Sequence, residues 1–179
     1  MVVVYILIGI VAVFVLLAIF APRDFRLARD IVIDKPKGEV FEHIKYLRNH
    51  DRWNAWTLKD PKLKKSFTGE DGTVGFTSRW ESDHKEVGHG EQEIKKIAEG
   101  ERLDTEIRFT KPFKGSFKAF IITESAGESK TRVEMGMEDR MPIPMNAVSF
   151  IFNVCMKQQE KIKRETDKSL SNLKALLER

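Results

Sequence analysis

Arg102-Leu-Asp-Thr-Glu-Ile-Arg-Phe109 alternates strictly in kind: Leu103, Thr105, Ile107 and Phe109 are uncharged, whereas Arg102, Asp104, Glu106 and Arg108 are charged. Successive side chains of a strand point to opposite faces, so this stretch is a strand with one apolar face and one wet face. The same phase recurs on either side. Upstream, Val74, Phe76 and Trp80 oppose Arg79 and Glu81; downstream, Val133, Met135 and Met137 oppose Arg132, Glu134 and Glu138. The period-two pattern begins at Lys62 and is interrupted by the turn-forming clusters Glu70-Asp-Gly, Ser82-Asp-His, Ala98-Glu-Gly, Lys111-Pro and Ala126-Gly. It predicts an antiparallel meander.

Working outward, Phe25 to Asp34 reads as a first strand closed by Pro36. Val40, Phe41, Ile44 and Leu47 then fall at helical spacing, which predicts a short amphipathic helix from Pro36 to Arg48 with Glu39 in its first turn. A second short helix is expected over Asn49 to Trp56. On the far side, Pro142 and Pro144 end the sheet, and Asn146 is read as the N-cap of a helix running to the C-terminus. Val148, Phe152, Cys155, Ile162, Leu170, Leu173 and Leu177 form its apolar stripe. The order of elements is an α+β plan in which the last helix closes the concave side of the sheet.

Ahead of this domain, Val2 to Ala21 carries no charged or amide side chain. At 1.5 Å per residue such a helix is roughly 30 Å long, the thickness of a bilayer's hydrocarbon core. Its many β-branched residues are mediocre helix formers in water, but lipid removes the strand alternative because every backbone group must bond internally. A cleaved signal peptide would want a basic leading region, a shorter apolar stretch and a small-x-small site, and Pro22 directly follows Ala21. The expectation is a retained anchor at residues 1–21, a juxtamembrane link with the start of the first strand at 22–30, and a folded domain over 25–179. Only the α-amino group precedes the span, whereas Arg23, Arg26, Arg29, Lys35 and Lys37 follow it, which predicts a single-pass protein with its domain on the cytoplasmic side.

The chain has 179 residues, with 31 Lys+Arg against 27 Asp+Glu, too short for a two-domain enzyme and without repeats. A single cysteine, Cys155, excludes an internal disulfide framework, and no Cys/His set has zinc-finger spacing.

Several motifs stand together: Ile31-Val-Ile-Asp-Lys-Pro36, Val40-Phe41, Trp53-Asn-Ala-Trp56, Asp60-Pro61, Phe67-Thr-Gly69, Gly72-Thr-Val-Gly75, Trp80, Gly88-His-Gly90 and Ile94. They continue through Lys111-Pro-Phe113, Thr131-Arg-Val133 and Leu170-Ser-Asn-Leu-Lys174. Together they resemble the polyketide cyclase/dehydrase-like branch of the SRPBCC superfamily, also called START-like or Bet v 1-like, across most of residues 25–177. The resemblance implies a helix-grip fold, a curved antiparallel sheet of about seven strands around a long C-terminal helix, enclosing a deep cavity used for lipids, sterols, polyketides and other apolar ligands. It implies no reaction, and the anchor is additional to the family core.

The inward phase nominates Phe76, Trp80, Ile107, Phe109, Phe117 and Ile121 as cavity lining, together with Met135, Phe152 and Met156. Ile94, Ala119 and Met137 complete that inward set. Trp53, Trp56 and Trp80 are read either as a stacking mouth or as core packing. Gln92, Thr105 and Gln159 are expected to orient a ligand by hydrogen bonds, or to pair with one another. Gly88 and Gly90 lack a phosphate loop's third glycine and read as a bulge. His84, Glu86, His89 and Glu91 could bind a metal, but the phase sends His89 and Glu91 to the solvated face, so no metal is expected. Nor is a catalytic residue or a cofactor: no charged pair lies on the inward phase, and Cys155 on an apolar stripe is a small buried hydrophobe. Lys157, Lys161, Arg164 and Lys168 read as a solvated helix face interleaved with Glu160, Glu165 and Asp167, with membrane-surface contact as the alternative and no nucleic-acid partner expected. The expected partner is an apolar small molecule or lipid, with the membrane held through residues 2–21. The rival functions are a polyketide cyclase-like enzyme and a protein-interaction module of the same fold.

Overall fold

The computed structural model describes residues 1–112, 114–148, 151 and 158–179. Seven strands make one antiparallel sheet: β1 (Asp24–Ile33), β2 (Lys64–Thr68), β3 (Thr77–Glu81), β4 (His89–Ala98), β5 (Arg102–Lys111), β6 (Gly115–Ser125) and β7 (Thr131–Arg140). Their order is β1-β7-β6-β5-β4-β3-β2, so the meander from β2 to β7 is closed off by the first strand returning beside the last. The fold is the helix-grip arrangement, with a terminal helix α3 (Gln158–Leu177) and a preceding apolar helix α1 (Val2–Phe20).

The register shows why the alternating segments pair. Leu103 faces Ile121, Ile121 faces Met135, and Ile31 faces Val133, so inward side chains meet inward side chains across successive strands. The outward set meets likewise. Arg108 holds Glu91, Glu93 and Glu106 at 2.6–2.8 Å on the other face.

Helix α2 (Lys37–Lys45) starts after Pro36, with Glu39 in its first turn, and buries Val40, Phe41 and Ile44. It ends at Lys45, three residues short of the expected Arg48, because the backbone of Tyr46 is extended. The expected second helix is instead two 3-10 turns, Leu47–Arg52 and Thr57–Lys59. The first turn is held at its start by Asp71, whose carboxylate accepts from the Leu47 and Arg48 amides at 2.8 and 3.1 Å. Val74 is not on a strand but exposed in the β2–β3 turn.

Leu170 and Leu173 of α3 pack into a core with Ile33, Val40, Ile44, Leu47, Trp53, Phe76, Ile94, Leu103 and Val133. The strand residues among them come from the end of β1, the middle of β4, the start of β5 and the start of β7. The dry core therefore fills the end of the sheet away from α1.

Asn146 is not the N-cap expected, since the helical turn already begins at Met145. It lies 1% exposed within a helical turn at 145–148, and its side-chain amide donates to the carbonyls of Ala18 and Ala21 at 2.9 and 3.0 Å. The last carbonyls of a helix lack intrahelical donors, and this side chain supplies them to α1.

Candidate functional site

On the α1 side of the core, the sheet, the 3-10 turns and α3 line a cavity of about 580 Å³. The boundary between core and cavity is a hydrogen bond. Gln92 on β4 donates from its side-chain nitrogen to the Thr105 hydroxyl on β5 at 3.0 Å. Beyond this pair each strand's inward positions change role. On β5, Leu103 is fully buried, whereas Ile107 and Phe109 line the cavity. On β6, Ile121 is core, whereas Ala119 and Phe117 line the cavity. On β7, Val133 is core, Met135 touches both, and Met137 lines the cavity.

Of the sequence-nominated residues, the cavity thus gathers Trp56, Trp80, Gln92, Ile107, Phe109 and Phe117, with Ala119, Met135 and Met137. Trp53, Phe76, Ile94 and Ile121 sit instead in the packed core. Thr105 is 4% exposed behind Gln92, and Gln159 is half-buried on α3, neither of them at the wall. The reason is depth: period two specifies which face a side chain takes, not how far along the strand the helix presses on it. Phe152, Met156 and Cys155 lie outside the described residues, as do Lys157 and Phe113.

One wall is aromatic. Trp80 meets Phe109 edge-to-face at 5.8 Å between centroids, and Phe109 meets Phe117 at 5.9 Å. Gly90 makes room for this wall, since a Cβ there would stand 2.6 Å from the Trp80 ring and 2.6 Å from the Arg108 carbonyl. The expected bulge is present as a register shift between His89 and Gly90.

His50, Asn54, Leu63, Lys65 and Ser78 on one flank, and Phe25 and Met141 at the α1 end, also line the cavity without having been marked by any sequence pattern. His50 sits in a 3-10 turn without periodicity, so no pattern announced it. Its ring is 4% exposed and its Nε2 lies 2.7 Å from the Ile44 carbonyl. Burial pulls its pKa down to about 4, against the smaller opposing effect of that carbonyl. The imidazole is therefore neutral near pH 7, with Nε2 as the donor.

A latch of charges stands where Trp56 meets α3. Glu86 accepts from Lys161 at 2.5 Å and from Lys59 at 2.7 Å, and Lys59 also reaches Glu165 at 2.7 Å. Both ammonium groups lie against the Trp56 ring, at 4.5 Å for Lys59 and 6.0 Å for Lys161. Lys161 first and Lys59 second hold the Glu86 carboxyl down at about 2. Lys161 is thus engaged across elements, and Glu160 pairs with Lys163 at 2.8 Å. The residues considered for a metal go separate ways: Glu86 joins this latch, and Glu91 pairs with Arg79 and Arg108. Among the described residues no group of three or more metal-ligating side chains stands together.

No protein-family model and no curated protein matches this chain. Solved structures do match it in shape. Protein CV1439 from Chromobacterium violaceum superposes with a TM-score of 0.56 at 17% identity, covering 88% of this chain and 99% of that one. A protein from Arthrobacter aurescens gives 0.57 at 15% identity, covering 84% and 86%. DynU16, a protein of the dynemicin biosynthetic locus, gives 0.55 at 14% identity, covering 86% of this chain and 47% of that one. At such identities the likeness is one of fold.

Proposed function

We propose that this chain is a membrane-tethered binding protein for an apolar small molecule, a lipid or isoprenoid held between the sheet and α3. The observation that carries the reading is the cavity of about 580 Å³, in the size range of small-molecule sites, walled by aromatic and methionine side chains, with polar groups on one flank and Glu86, Glu138, Asp139 and Lys161 also lining it. Trp80, Phe109 and Phe117 supply rigid apolar surface; Met135 and Met137 adapt to shape. Gln92, His50, Asn54 and Ser78 offer hydrogen bonds that fix orientation.

Helix α1 is long and apolar enough to cross a membrane, and its side chains are exposed along nearly its whole length. In this reading it is the anchor. It holds the cavity beside its ligand's source, raising local concentration without new contacts. Arg23, Arg26 and Arg29, close behind it, favour the cytoplasmic side for the domain. Protease protection of the domain in sealed inverted vesicles would contradict that sidedness. The binding itself is tested by native mass spectrometry of membrane-purified protein, with organic extraction of anything bound.

A further inference from the structure

The cavity's anchor end, the end of α1 and a set of exposed apolar side chains meet in one place. Besides the Asn146 bonds to Ala18 and Ala21, the Met141 amide donates to the Arg23 carbonyl at 2.8 Å. Ala21, Asn146 and Ala147 are buried in this junction. The chain after β7 is thereby fixed against the last turn of α1. Yet Ile143, Met145, Val148 and Ile151 are 55%, 51%, 45% and 41% exposed. Met145 and Val148 stand three apart in the helical turn at 145–148, neighbours on one helix face. Ile19 and Phe20, in the turn of α1 whose backbone Asn146 holds, are themselves 61% and 78% exposed.

Exposed basic side chains stand at this end of the sheet, interleaved with acidic Asp24, Glu81 and Asp83. The register sets Asp24 beside Arg140 and His89 beside Lys111, so the β5–β6 turn with exposed Lys111 and Lys114 lies at the α1 end of the sheet, with Arg23 and Arg140. The opposite end carries exposed Glu99 and Glu101 in the β4–β5 turn and Glu124 and Glu128 beyond β6.

We propose that Ile143, Met145, Val148 and Ile151 form a second membrane contact, lying in the headgroup–acyl boundary of the bilayer that α1 spans. The inference rests on the reading of α1 as an anchor. If α1 crosses a bilayer, its C-terminal turn is at the interface, and side chains hydrogen-bonded to that turn's backbone through Asn146 are at the interface with it. Apolar residues there enter the acyl boundary, and Arg23, Lys111, Lys114 and Arg140 at that end face anionic headgroups. The consequence is functional. Phe25 and Met141, which line the cavity, then rest at the membrane surface, so a lipid passes between bilayer and cavity without crossing water.

The test uses the full chain in phosphatidylcholine–phosphatidylserine nanodiscs containing a diazirine-bearing phospholipid. Irradiation and peptide mapping should place crosslinks on the peptide carrying Met145 and Val148 as well as on α1. An independent readout is an environment-sensitive fluorophore at M145C in a C155S background, with V74C at the far end as control. Position 145 should emit to the blue and lose fluorescence to doxyl lipids, and position 74 should do neither. Crosslinks confined to residues 1–21, or a label at 145 that is water-exposed, would overturn the second contact. A label shielded from water yet not quenched by doxyl lipid would also overturn it, pointing to a second protein surface. Alkaline carbonate extraction separates the two readings: release of the chain removes both the anchor and this contact, whereas retention with no lipid contact at 145 removes only the contact.

Discussion

Asn146 and Ala18 are far apart in the chain, yet the Asn146 side-chain amide lies 2.9 Å from the Ala18 carbonyl and 3.0 Å from that of Ala21. One side chain thus ties the chain after the sheet to the end of the apolar helix. Each such bond contributes about 1 kcal/mol net, and leaving a buried acceptor unpaired costs more. Asn146→Ala should loosen this junction without unfolding the sheet. Hydrogen exchange on the full chain in nanodiscs is expected to show faster exchange at residues 141–148 and unchanged protection in β4–β7. Equal protection at 141–148 would show the tie to be dispensable.

Ala119 is the small residue between Phe117 and Ile121 on β6, at the cavity wall. Ala119→Trp puts an indole into the space assigned to ligand. We expect at least a tenfold loss of bound apolar molecule, a change of about 1.4 kcal/mol or more, with melting temperature kept or raised. Undiminished binding would place the ligand elsewhere.

Gly136 on β7 is crowded on the outer face: an added Cβ would stand 2.5 Å from the Leu27 carbonyl and 2.8 Å from the Phe120 ring. Phe120 is 1% exposed there because Arg26 and Arg102 cover its ring at 4.8 and 4.9 Å. Overpacking of this kind costs about 1–3 kcal/mol. Gly136→Ala should lower stability by that amount in chemical denaturation of the detergent-solubilised chain; a change within the error of the fit would mean the neighbours give way freely.

His50 makes stability depend on pH. Its folded pKa of about 4 lies below the ordinary histidine value of 6.5, so between them the unfolded chain binds more protons. The contribution is complete above pH 6.5 and is lost as pH falls towards 4, by roughly 3 kcal/mol in all. His50→Gln should flatten the slope of unfolding free energy against pH across that window. An unchanged slope would assign the dependence to other groups.

The antiparallel meander was legible because Leu103 to Phe109 and its neighbours alternate over long runs, and a one-residue slip would expose every core side chain. What period two does not encode is depth. Ile94 and Gln92 share a face, yet Ile94 is in the core and Gln92 at the cavity wall, because α3 presses Leu170 and Leu173 only onto the far end. His50 escaped notice for another reason: it belongs to a 3-10 turn fixed by tertiary contacts, Asp71 at its start and the Ile44 carbonyl at its ring. Phe120 and Gly136 hid on the charged face, where a buried aromatic is explained only by the two arginines above it.

The most direct measurement is a native mass spectrum of the full-length protein released from membranes in detergent, followed by organic extraction of whatever it carries. A discrete apolar adduct is expected, lost in the Ala119→Trp variant. A clean unliganded mass, from a protein that also refuses fluorescent lipids and hydrophobic dyes, would contradict it and leave a packed interaction module in its place.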